Sequence, residues 1–168
     1  RNVQGIKIAF VAFTKGMTVD KDSMTLPPGS ENCVNILYTD YDGGYQEVNR
    51  EKITSVLSAV KKEKPDITVA LLHWGSEYND NVSKTQEKLV EFLQGEDVDV
   101  ILGTHPHYVQ KITHDPVSGK FVAYSLGDLI SDGQRAGTEY SIILKLEITK
   151  TEEETKVTGY SYTPIFTV

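Results

Sequence analysis

The chain has 168 residues, 39% hydrophobic and 24% charged, enough for one domain with a core that removes about two-thirds of its unfolded surface from water. No apolar run reaches the roughly 20 residues of a membrane helix, so no membrane span is expected in this segment. With 24 acidic against 17 basic residues the net charge is -7, and the basic residues are scattered, which argues against nucleic acid as a partner.

The chain opens at Arg1 without a charged and apolar leader, and a strand-like run begins almost at once. This leads us to expect a segment from within a longer protein, with any targeting signal and further working parts before Arg1. The single Cys33 has no internal disulfide partner and reads as a small half-buried residue rather than a nucleophile.

In chain order, "IKIAFVAF" (6–13) is a near-continuous apolar run that suits a strand buried on both faces of a parallel sheet. Residues 14–44 hold "LPPGS" and "YDGGY" and read as a long surface loop, with a short strand at "VNILY". Val48, Ile53, Val56, Leu57 and Val60 recur at helical spacing within 46–63, and Pro65 closes that helix. "ITVALLHW" (67–74) is a second buried strand. "SKTQ" (83–86) has the form of a capping box before Leu89, Phe92 and Leu93, with Gly95 placed to end the helix. "DVDVILG" (97–103) is the third strand.

Strand and helix in alternation imply right-handed crossovers and a parallel sheet. From residue 110 the pattern changes. "QKITH" and "KFVAYSL" read as a hairpin around the turn "DPVSG", and "EYSIILKLEIT" and "TKVTGYSYTPIFTV" alternate as an antiparallel pair joined by the solvated turn "KTEEE". The expected fold class is α/β, an α+β sandwich of parallel strand–helix units followed by antiparallel hairpins. Residues 1–168 are read as one domain or as the carboxy-terminal part of a larger one.

Sites in open α/β sheets form at the carboxyl ends of the parallel strands. His73 ends the second strand, and His105 and His107 follow the third in "GTHPHYVQ". Pro106 restricts His105 to extended backbone, and residues i and i+2 of an extended segment point the same way, so both rings are expected to aim at one region. Three neutral imidazoles from two strand ends suit a divalent metal, Zn²⁺, Mn²⁺ or iron. The plainer reading of each is a hydrogen-bonded histidine at a strand end; His114, in the hairpin, is read that way.

Glu77 and Asp128 are the acids that reach the same crevice. Glu77 is placed to orient an imidazole, bind metal or act as general acid or base, and either carboxylate serves equally as a turn cap. Trp74 and Tyr78 flank the site as candidate walls or as core. Trp74, Tyr78 and Asp128 are the residues we expect at the substrate.

"HWGSEY", "GTHPHYVQ" and "FVAYSLGDLI", in that order, resemble the bacterial capsule synthesis family of the CapA or poly-γ-glutamate synthesis type, as does the opening "GIKIAFVAFT". The resemblance spans essentially the whole chain. It implies a fold related to the calcineurin-like metallophosphoesterases, whose two-metal site takes a histidine after one strand and a G-H-x-H pair after the next, positions that fall on His73, His105 and His107. It implies further ligands, aspartate, asparagine and histidine, from an amino-terminal half that residues 1–70 do not supply. The partner of this segment is then the amino-terminal half of the same family domain. Asp128 stands where the family usually has asparagine.

By this resemblance the protein acts in capsule or poly-γ-glutamate synthesis or export at the outer face of the membrane. Two readings stay open. In one the crevice is a metal-dependent hydrolase site for a phosphoester or related bond, with His73, His105 and His107 as ligands and Glu77 and His105 taking part in catalysis. In the other it is a non-catalytic module that binds an acidic polymer and whose metal site is vestigial.

Overall fold

A computed structural model describes residues 1–16, 18–20, 23–24, 29, 33–40, 44–130 and 135–167, with backbone alone at 18–20 and 23–24. Its elements in order are β1 (Asn2–Val3), β2 (Ile6–Thr14), β3 (Thr18–Asp20), β4 (Ser23–Met24), α1 (Arg50–Lys62), β5 (Ile67–His73), α2 (Lys84–Gly95), β6 (Val100–Thr104), β7 (Ile112–His114), β8 (Phe121–Ala123), β9 (Tyr140–Lys150) and β10 (Thr155–Phe166). The main sheet has the order β1-β2-β5-β6-β8-β7. β2, β5, β6 and β8 run parallel, and β1 and β7 close the two edges antiparallel.

The crossovers follow from the local chemistry. Asn49 caps α1 by accepting from the Lys52 N–H at 3.2 Å. Ser83 and Gln86 complete the capping box anticipated for α2, each side chain bonding the other's backbone N–H. Leu89 and Leu93 of α2 and Ile53 and Leu57 of α1 then bury against Val11, Phe13, Ala70, Leu72, Ile101 and Val122 on one face of the sheet.

The opposite face is covered over half its length. β9 and β10 form a separate antiparallel ribbon with an irregular step between Val157 and Gly159. Val157, Leu144, Leu146 and Ile148 of this ribbon meet Ile67, Val69, Val100, Phe121 and Ala123 at the amino-terminal end of the strands. Toward the carboxyl end the cover stops. There Phe10 is 55% and Leu71 40% exposed, and a cleft of about 500 Å³ runs between Ala12, Leu71, Leu102, Leu126 and His73.

The mixed α/β architecture, the parallel core and both antiparallel hairpins match expectation. Some boundaries differ. "VNILY" forms no strand: Ile36 and Tyr38 make isolated bridges to Thr14 and Val48, because Asn49, Leu37 and Thr14 exchange backbone bonds across a buried corner instead. Most of the expected "LPPGS" and "YDGGY" loop lies outside the described residues. The third strand starts at Val100 rather than Asp97. Asp97 has φ +66°, and the Asp99 carboxylate accepts from the Thr68 N–H at 2.8 Å in the turn before the strand. Cys33, expected half-buried, is exposed.

Candidate functional site

The parallel register places Thr14 beside His73 and His73 beside Thr104, so the carboxyl ends of β2, β5 and β6 finish level. The histidines are therefore carried to one edge by the sheet itself. His73 and His105 face each other with ring centroids 4.4 Å apart, and His105 and His107 are 6.2 Å apart. The expected convergence is present.

The backbone that achieves it is not the extended one anticipated. His105 has φ +96° and His107 φ +63°, conformations that side-chain-bearing residues adopt only when neighbours hold them there. The neighbours are the first residues after β5. The Trp74 N–H donates to Thr104 O at 3.2 Å and the Tyr78 N–H to Pro106 O at 3.0 Å, so 104–107 is tied as a turn to 74–78. Gly103 allows the chain to enter this turn: a Cβ on it would lie 2.0 Å from Tyr124 O and 2.3 Å from the Trp74 Nε1.

His107 is oriented by carboxylates. Its Nδ1 lies 2.7 Å from Asp128 Oδ2, and its Nε2 lies 3.4 Å from Glu77 Oε1, the second contact being loose and at a half-exposed acid. The Tyr78 ring stacks on His107 at 4.9 Å and 16°, and the Arg135 guanidinium lies 3.9 Å from the centroid of the Tyr78 ring. Asp128, Glu77 and Tyr78 thus meet His107 directly. Trp74 does not line the crevice. It is fully buried, stacks on Tyr124 at 5.6 Å, and donates from Nε1 to Tyr124 O at 2.8 Å, so it forms the floor under the site. His114 lies apart, with its Nε2 3.0 Å from Val157 O, as its structural reading requires.

Burial sets the charge state of the pair. The His105 imidazolium is disfavoured by desolvation first and then by the charges of Lys15, His73 and His107, which push its pKa down to about 3. His73 is lowered by desolvation first and Lys15 next, with Glu77 opposing. Both rings are neutral near pH 7. The His105 Nε2 is moreover buried and, among the described residues, has no hydrogen-bond partner, a costly state for a polar atom.

Neutral, close imidazoles with an orphaned ring nitrogen are the donor chemistry of a borderline divalent metal. The carboxylate on the far nitrogen of His107 is the usual support of a ligating histidine. Among the described residues no group of three or more His, Cys, Asp or Glu side chains is closed around one point. The residues present fit part of a metal centre: His73 and His105 as a ready pair, and His107 held to one side by Asp128 and Glu77.

Four residues of the site escaped the sequence reading. Lys15 is a buried lysine beside His73. Arg135 reaches the site through Tyr78 from a segment with no motif. Gln86, 1% exposed, donates from Nε2 to Gln110 Oε1 at 3.2 Å, and Gln110 donates to Asn79 O at 2.8 Å and Asn81 O at 3.2 Å, which pins the loop carrying Glu77 and Tyr78. Gln110 closes the "GTHPHYVQ" motif, and that position was its only signal.

The chain is 27% identical over 148 residues to the capsule biosynthesis protein CapA of Bacillus anthracis, covering 88% of this chain and 33% of that protein. It is 26% identical over 154 residues to the PGA biosynthesis protein CapA of Bacillus subtilis (strain 168), covering 89% and 35%. The chain therefore spans about a third of the length of these relatives. Among solved structures, a hypothetical protein from Thermus thermophilus superposes with a TM-score of 0.50 at 14% identity, over 99% of this chain and 60% of that one, a likeness of fold alone. The calcineurin-like phosphoesterase YfkN from Bacillus subtilis gives a TM-score of 0.41 at 16% identity, over 71% and 37%.

The family expected from the three ordered motifs is also the one whose model, described as bacterial capsule synthesis protein PGA_cap, matches residues 1–133 and so takes in the whole histidine edge. With the motifs, the relatives and the family model in agreement, this chain belongs to the bacterial capsule synthesis protein PGA_cap family.

Proposed function

We propose that the crevice at the carboxyl edge of β5 and β6 is this segment's share of a metal-dependent hydrolytic site, of metallophosphoesterase type, working in capsule or poly-γ-glutamate biosynthesis at the cell surface. The observation that carries this reading is the buried, unpartnered Nε2 of His105 beside the neutral ring of His73. A site that leaves a buried ring nitrogen unsatisfied is costly to fold, and a ligand offsets that cost.

In this reading His73, His105 and His107 hold the ion, which is Mn²⁺, Zn²⁺ or iron. When bound, such an ion supplies Lewis acidity and a more acidic water. The chain's own residues do the rest. Asp128 accepts from Nδ1–H of His107 and fixes the ring with Nε2 toward the crevice. Glu77, half exposed at the crevice mouth, moves a proton at Oε1. Tyr78 stacks on His107 and limits its rotation. The substrate is a phosphoester or an acidic polymer, and the remaining ligands come from the other half of the family domain, which is the partner of this segment.

The test is the metal content of the full-length natural protein, purified without chelator or histidine tag. His73→Ala and His105→Ala are each expected to lower bound metal, and His114→Ala is expected to leave it unchanged. Equal loss in all three variants, or no metal in the parent, removes the hydrolase reading. The alternative in that case is a non-catalytic crevice that binds the acidic polymer, which the Lys15 and Arg135 cations at the site favour.

A further inference from the structure

Two cations bracket the histidine row, and among the described residues neither is paired with an acid. Lys15 directly follows β2, and its backbone N–H donates to His73 O at 2.9 Å. The residue is 8% exposed. Its Nζ donates to Gly75 O at 2.9 Å and sits 4.9 Å from the centroid of the Tyr45 ring. The ion pairs among the described residues do not include it, and Glu77 acts on it only through space, against the burial that lowers its pKa.

At the opposite end, exposed Arg135 lies over Tyr78, which stacks on His107. Such a contact covers a face of the guanidinium and leaves its N–H edge open. Arg135 is likewise in no ion pair among the described residues. Strand order sets Lys15 beside His73, and ring contacts continue the row through His105, His107 and Tyr78 to Arg135.

An ammonium taken out of water with only a carbonyl and a ring face as company is a net cost to folding. It sits in a chain of net charge -7, where an acid within reach would be easy to supply. Natural sequences break such local rules mainly at functional sites. The same net charge repels an approaching polyanion over roughly a Debye length of 8–10 Å. Inside the crevice the nearest charges decide: the Glu77 and Asp128 carboxylates are engaged on His107, and Lys15 and Arg135 are the cations at the two ends.

We propose that Lys15 and Arg135 are the anion-binding residues of this crevice, holding oxyanion groups of an extended acidic substrate on either side of His73, His105 and His107. Two cations separated by a row of rings select a ligand with repeated anionic groups over a small single anion. The assignment rests on the crevice being the substrate site, and it does not require the metal.

The experiment is calorimetric titration of the full-length natural protein with a short oligoglutamate and, separately, with inorganic phosphate at low ionic strength, with bound metal measured in each sample. Lys15→Met and Arg135→Gln are each expected to weaken oligoglutamate binding about 10- to 100-fold, the scale of one charge-assisted hydrogen bond. Lys88→Gln, an exposed lysine on α2, is expected to leave it unchanged. Lys15→Met is expected to melt no lower than the parent, since a methionine of similar shape removes an unpaired buried charge.

Unchanged oligoglutamate binding in both variants, or an equal loss in Lys88→Gln, overturns the assignment while the metal reading stands. Phosphate binding as tight as oligoglutamate and indifferent to Arg135 overturns the two-point arrangement. A parent without metal that still loses oligoglutamate with Lys15 supports the anion site and removes the hydrolase reading alone.

Discussion

His73 and His105 lie ring against ring at 4.4 Å, and the more buried one, His105, has an Nε2 with no partner among the described residues. Their closeness follows from the level strand ends of β5 and β6 and from the turn tied beneath them, so it exists before any ligand arrives. The pair is preorganised, and its cost appears as a dependence on pH.

In the folded chain His105 titrates at about 3, against 6.5 ordinarily. Between those values the unfolded chain holds a proton that the folded chain refuses, so acid favours unfolding. The stability contributed is complete above pH 6.5 and drains away as pH falls toward 3, and His73, lowered from the same 6.5, adds in the same sense. Asp40, Asp66 and Asp115, lowered from 3.8, act in the same direction only at more acid pH. Urea midpoints measured from about pH 7 down to about pH 4 are expected to fall steadily, and His105→Gln is expected to flatten that slope. A parallel slope in the variant would show that the histidine is not its source.

Asp128 holds the Nδ1 of His107 at 2.7 Å from a side chain only 20% exposed. Asp128→Ala is expected to weaken metal binding on the order of 10- to 100-fold by releasing the ring, and Asp128→Asn to weaken it less, since an amide oxygen still accepts from Nδ1–H. Competition with a calibrated chelator on the full-length protein measures both. Equal affinity in parent and alanine variant would remove Asp128 from the site.

Gly103 has no room for a side chain. Gly103→Ala brings a methyl group against Tyr124 O and the Trp74 Nε1, and it must either break their 2.8 Å hydrogen bond or displace the strand. The expected loss is about 2–3 kcal/mol of stability, read as a lower urea midpoint with an unchanged m-value.

Gln110 joins the turn after β6 to the loop bearing Glu77 and Tyr78. Gln110→Leu leaves the Gln86 Nε2 and the carbonyls of Asn79 and Asn81 without their partner, at an expected cost of about 1–3 kcal/mol. Hydrogen exchange localises the effect: residues 76–82 are expected to lose protection while α1 keeps its own.

The fold was largely legible because its signals are strong ones. Buried parallel strands read as unbroken apolar runs, and the Ser83–Gln86 capping box marked the start of α2 from four letters. His73, His105 and His107 were legible as a group because strand ends converge whatever the loops do. The way they converge was not. Pro106 suggested extended backbone, but hydrogen bonds from Trp74 and Tyr78, some thirty residues earlier in the chain, bend 104–107 into a turn with left-handed His105 and His107. Trp74 reads in sequence as a candidate wall, with core the commoner role at a strand end, and its bond to the Tyr124 carbonyl makes it floor. Lys15 had no pattern at all, since burial of a lysine depends on what folds over it.

The ribbon of β9 and β10 packs an apolar flank on the sheet, and its two ends are tied by the Ile142 N–H donating to Leu126 O at 3.0 Å and by the Lys150–Asp66 ion pair at 2.7 Å. A two-stranded ribbon has little stability of its own, so it depends on these ties and on the apolar side chains around Val157. Opening that flank would uncover Phe121 and Ala123 while α1, α2 and their face of the sheet stayed packed. Amide protons of the ribbon are accordingly expected to exchange by local opening before those of β5 and β6.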